Sequence, residues 1–152
     1  MNKPKAIISA CLAGEKCRYD GGTKTTVLLD ELRKSYDLVL VCPELLGGLS
    51  VPREKACILG KDGNHAGGMS VIQGTARVLM ESGKDVTSDF IKGAKKIMEL
   101  VKNNQIKTAF LKSRSPSCGY GTLSTPNGLI TGNGILTEML LMEGMDVREV
   151  HE

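Results

Sequence analysis

The sequence predicts an α/β fold: a mostly parallel sheet with helices on both faces, in a single domain spanning residues 1–152. Three observations carry this. Short, continuous apolar runs alternate with stretches of helical periodicity. The order of those segments, strand and helix in turn, suits parallel strands joined by crossover helices. The length of 152 residues, with 41% hydrophobic residues, is enough for one packed core and no repeat or low-complexity linker divides it.

The first strand is expected over residues 6–10 (AIISA), the second over 38–41 (LVLV) and the third over 108–111 (TAFL). Their apolar runs show no polar alternation, as in strands covered on both faces. A fourth strand is expected at 146–150, and residues 76–80 suit either a further strand or a loop. The clearest helix is 88–104, where Phe90, Ile91, Ala94, Ile97, Met98 and Val101 recur at three- and four-residue spacing and form one apolar stripe. Thr87 is its expected N-cap, with Asp89 favourable in the first turn. Lys92, Lys95 and Lys96 then form its solvated face. Helices are also expected over 26–34 and over 135–143, the latter stopped by Gly144. Met139 and Met142 are expected in the core. The Gly-rich stretch 120–134 reads as a hairpin or wrapped loop.

Composition excludes several functions. Aromatic residues are 3% of the chain, with no Trp, so there is no platform for stacking bases. A net charge of +3, with 20 basic and 17 acidic residues, leaves no basic stripe for nucleic acid or a membrane surface. No apolar run approaches the roughly 20 residues of a membrane span, and 6–10 is too short for a secretory signal core. The expectation is a cytoplasmic protein. In that compartment five cysteines are metal ligands, redox groups or core rather than disulfides.

Cys11, Cys42 and Cys118 each follow an expected parallel strand. Strands that share a direction bring their C-terminal ends to one rim, where open α/β sheets bind ligands. Three thiols distant in sequence are therefore expected to meet. Gly and Pro in the same loops allow sharp turns and close approach to a bulky group. Close Cys pairs of the structural-zinc kind are absent, whereas three soft thiolates suit an iron–sulfur cubane with one iron left open. Cys17 reads equally as ligand or as neighbour of the ligands. Cys57, between Ala56 and Ile58, reads as core. His65, in a Gly-rich loop, and His151, at the end of the chain, are not expected to be ligands.

Residues 9–22, 41–53 and 111–119 resemble the signatures of the thiouracil desulfurases, in the same order, and the likeness continues through 83–90 and 132–136. It implies a Rossmann-like α/β domain that holds a [4Fe-4S] cluster on Cys11, Cys42 and Cys118, with the fourth iron open. It also implies removal of sulfur from a thiolated uracil to give uracil and sulfide, with Glu44 and Ser115 in catalysis. Glu44 would serve as base toward water or as proton donor to a ring nitrogen, and Ser115 would bond the pyrimidine or the water. Arg18, Tyr19, Asp20, Arg53 and Ser117 are candidates for holding the substrate, a small thiolated nucleobase. The family pattern carries an acidic residue near Cys57, and residues 60–74 are longer and richer in Gly than that pattern. The rival readings are a thiol-based sulfurtransferase or reductase and a structural-metal binding module. A homodimer is an expected state for so small an α/β domain.

Overall fold

In the computed structural model, which describes residues 3–22 and 25–151, four parallel strands form the central sheet. These are β1 (Lys5–Ser9), β2 (Asp37–Val41), β5 (Thr108–Lys112) and β8 (Asp146–Val150), in the order β2-β1-β5-β8. Every neighbouring pair is parallel, with Ile7 opposite Val39 on one side and Ala109 on the other. Two antiparallel hairpins lie outside this sheet: β3 (Ala56–Gly60) with β4 (Ala76–Met80), and β6 (Thr122–Thr125) with β7 (Gly128–Thr131).

The two faces of the sheet follow the period of two. Ile7, Ala109, Leu111 and Val147 point to one side, where α4 (Thr87–Asn103) and α5 (Ile135–Met142) cover them. Ala6, Ile8 and Phe110 point to the other, under Leu29 and Leu32 of α1 (Leu29–Ser35) and Leu12 of a 3-10 turn, Ala10–Ala13. The expected helices on both faces are present, but the α4 side holds most of the core. Each fully buried Ile or Leu there contributes about 1.5–3 kcal/mol. Among the described residues no helix is long and apolar enough to cross a membrane.

Several expectations are corrected. Strand β2 is an edge strand, and Leu40 is 38% exposed, so its apolar run is not covered on both sides. Thr87 does not cap α4. It is the first helical residue, and the carboxylate of Asp85 accepts its N–H at 2.9 Å and its hydroxyl at 2.6 Å. Thr87 Oγ1 in turn accepts the N–H of Val78, which fastens the helix start to β4. Helix α1 begins at Leu29 because Thr26 is spent on a turn: its hydroxyl accepts Leu28 N–H and donates to the carbonyl of His151. Met142 is 64% exposed and lies outside the core. Strand β3 and two short helices, α2 (Pro43–Leu46) and α3 (Gly68–Ile72), had no expectation.

Candidate active site

The C-terminal ends of β1, β2 and β5 lie side by side, and the segments that follow carry Cys11 and Cys17, Cys42, and Cys118 respectively. The strand order turns back at β1, which puts the rim between β1 and β5 at the switch point where such sheets bind ligands. A cavity of about 370 Å³ opens there, within the ordinary range for small-molecule sites. All five cysteines line it. The β3–β4 hairpin supplies a wall through Ala56, Cys57 and Met80.

Each cysteine is placed by local chemistry. Cys11 sits in the 3-10 turn that ends β1. Cys42 is the residue before α2, whose first residue, Pro43, is preset for a helix start. Cys118 follows a turn in which Ser115 Oγ accepts the Cys118 N–H at 2.8 Å. Helix α2 packs directly on α4 at two glycines. A Cβ on Gly93 would overlap the Pro43 carbonyl oxygen, and one on Gly47 would overlap that of Asp89. On the other side, a Cβ on Gly134 would lie 2.7 Å from Cys118 N. Backbone contact without intervening side chains thus holds both the Cys42 and the Cys118 loops.

Cys17 packs with Cys11 and Cys42 at one end of the cavity, and the Cys42 thiol faces the Cys17 carbonyl at 3.9 Å. The neighbouring thiols raise the Cys17 pKa, Cys11 first, and Cys17 in turn lowers those of Cys11 and Cys42 against the opposing effect of burial. Cys17 therefore keeps its proton while its neighbours give theirs up more readily. Cys118 is pushed up to about 12 by burial and by the negative charge of Glu44, against the opposing pull of the nearby Ser117 and Ser9 hydroxyls, the Ser117 oxygen lying 3.6 Å from its sulfur. Ser9, on β1, was not expected at the site. Its signal was its place directly before the first Cys-bearing turn. Its Oγ also accepts Lys112 N–H at 2.9 Å, which fixes β1 to the end of β5.

Glu44 reaches the same cavity from the first turn of α2. Ser117 donates its hydroxyl to Glu44 Oε1 at 2.7 Å, and the Cys42 thiol lies 3.6 Å from Oε2. Ser115 and Ser117 oxygens are 3.3 Å apart. Ser117 has one proton, and the short bond to a carboxylate is the stronger use of it. Ser115 is then the donor to Ser117. The hydroxyl that meets Glu44 belongs to Ser117, which is 1% exposed, and Ser115 stands one step behind it.

The other candidates divide. Arg18 lines the cavity with its side chain 16% exposed, and its buried Nε has no hydrogen-bond partner among the described residues. Tyr19 also lines it, with the Lys55 ammonium 5.2 Å and the Arg18 guanidinium 5.8 Å from its ring centre. Arg53 lines it while pinning the Cys17 loop, donating to the Cys17 carbonyl at 3.1 Å and to that of Ser50 at 3.2 Å. Asp20 is not among the lining residues. Its exposed carboxylate accepts Gly22 N–H at 2.8 Å, which closes the loop and holds its pKa below the usual carboxylate value. Cys57, expected in the core, is half-buried on the cavity wall, and burial pushes its thiol up. His65 lies against Asn127, and His151 pairs with Glu149.

Among the described residues no group of three His, Cys, Asp or Glu is arranged to hold a single metal ion. The thiols instead border a cavity, and a soft, thiol-only set around a space of this size fits a multi-iron cluster.

The comparisons with known proteins agree with this geometry. An uncharacterized protein of Bacillus subtilis, YbbK, is 38% identical over 149 residues, covering 96% of this chain and 95% of its own length. The solved structure of a [4Fe-4S]-dependent thiouracil desulfidase, TudS, superposes with a TM-score of 0.80 at 35% identity, covering 97% of this chain and 91% of that one. The model of the 2-thiouracil desulfurase family matches residues 6–152, and the chain belongs to that family.

Proposed function

We propose that this protein desulfurates a thiolated pyrimidine of the 2-thiouracil kind by hydrolysis, in a reducing, cytosolic compartment, at a [4Fe-4S] cluster held by Cys11, Cys42 and Cys118. The observation that carries the reading is the opening of all three strand-end thiols onto one cavity that also contains the Glu44–Ser117 pair. When bound, the cluster supplies a sulfur-seeking Lewis acid at the iron that no strand-end cysteine occupies.

The remaining work belongs to the chain. Glu44 takes a proton from the water that attacks the thiocarbonyl carbon. Ser117 holds one carboxylate oxygen by its 2.7 Å bond, and the other lies 3.6 Å from the Cys42 sulfur on the same cavity. Ser115 orients Ser117 and secures the Cys118 turn. The buried Arg18 Nε offers a donor to a ring carbonyl. A C–O bond forms and the C–S bond breaks; both protons of the water leave with the sulfur as hydrogen sulfide, one of them by way of Glu44. No net electron transfer occurs.

The test is iron and acid-labile sulfide per chain on protein purified without oxygen, followed by uracil release from 2-thiouracil. The expected result is about four of each and turnover that depends on them. Zinc in their place, or turnover by metal-free protein that alkylation abolishes, overturns the reading in favour of thiol-based sulfur transfer.

A further inference from the structure

Cys17 is, with Cys57, one of two thiols that the proposed cluster does not use, and it is neither exposed nor isolated. It is 5% exposed and grouped with Cys11 and Cys42 at one end of the cavity. Its backbone is held by the Arg53 guanidinium at its carbonyl, and the Cys42 thiol also faces that carbonyl at 3.9 Å. Of the three, Cys42 alone is half-buried rather than buried, so it is the sulfur a dissolved reagent meets first.

We propose that Cys17 and Cys42 form a reversible disulfide in the cluster-free protein, a modification site that closes the cluster pocket under oxidising conditions. The oxidant is a low-molecular-weight disulfide such as oxidised glutathione. The Cys42 thiolate attacks it, forming a mixed disulfide and releasing one thiol. The Cys17 sulfur then attacks Cys42, its proton leaving with the second released thiol. Two protein thiols lose two electrons and two protons, and the oxidant gains them. The adjacency of Cys17 makes the second step intramolecular, before Cys42 can proceed to irreversible sulfinic acid. The bond itself is independent of the proposed function. Its consequence rests on that reading, because it removes one of the three expected ligands.

The experiment treats the full-length apoprotein, under native conditions, with oxidised glutathione and reads intact mass, thiol number and disulfide-linked peptides. The expected product has lost two hydrogens and two titratable thiols, and joins the Cys17 and Cys42 peptides. It takes up iron and sulfide only after a dithiol reductant. Cys17→Ser is expected to stop at the glutathione adduct on Cys42. A wild-type protein that also stops at the adduct, or a bond that maps to Cys11, Cys57 or Cys118, overturns the proposal, and mapping on wild type needs no variant to fold. Failure of the fully reduced protein to take up iron and sulfide would count against the cluster reading alone, since the linked peptides would still be found.

Discussion

Gly93→Ala gives the sharpest test of how the site is held. In an ordinary helix interior this change stabilises by about 0.5–1 kcal/mol, because Ala loses less conformational freedom on folding. Here the sign reverses. The added methyl would overlap the Pro43 carbonyl oxygen and lie 2.8 Å from its carbon and 3.1 Å from Gly47 N. Carbon atoms pack at about 3.5–4.0 Å, so α2 must withdraw from α4 by roughly 1 Å. The obstructing atoms are backbone, so no rotamer change relieves them, and a cost of about 1–3 kcal/mol follows. Helix α2 carries Glu44, and Cys42 immediately precedes it. A displacement of about 1 Å at reacting groups lowers rate by roughly 10²-fold. Urea unfolding followed by circular dichroism, with desulfuration and iron content on the same preparations, measures both effects. Lys92→Ala, on the exposed side of α4, is the control and should stay within about 0.5 kcal/mol. A Gly93→Ala protein as stable as wild type, with unchanged turnover, would refute the idea that glycine contact positions this loop.

Two further outcomes are expected. Ser117→Ala should reduce turnover more than Ser115→Ala and shift the pH profile of kcat, because Ser117 touches Glu44 directly, through a charge-assisted bond of about 1.5–3 kcal/mol. Equal losses with unmoved profiles would argue that both serines only shape the Cys118 turn. Asp85→Ala should destabilise by about 1 kcal/mol near neutral pH, the ordinary worth of a helix cap. The Asp85 pKa is lowered in the folded protein, first by the Thr87 hydroxyl and N–H, so its contribution is present above the unfolded carboxylate pKa and is lost as pH falls through the lowered folded value. The difference between variant and wild type should therefore vanish in acid. A difference that persists at low pH would show that Asp85 acts through packing.

Much of the architecture was legible in the residues. Unbroken apolar runs marked β1 and β5, and the spacing from Phe90 to Val101 described the buried face of α4, because burial on a regular element leaves its period in the sequence. The convergence of Cys11, Cys42 and Cys118 on one cavity followed from strand direction alone. Elements too short to show a period, α2 and α3, left no such mark, and β3 shows itself only through its pairing with β4. Only the tertiary structure decided which serine meets Glu44, that Asp20 closes a turn outside the cavity, and that Cys57 belongs to the wall. Ser115 and Ser117 are two residues apart on one turn, and Glu44 arrives from a helix 73 positions earlier. Its approach is set by the distance at which α2 packs on α4, and a pair of glycines fixes that distance through contacts distant in the chain.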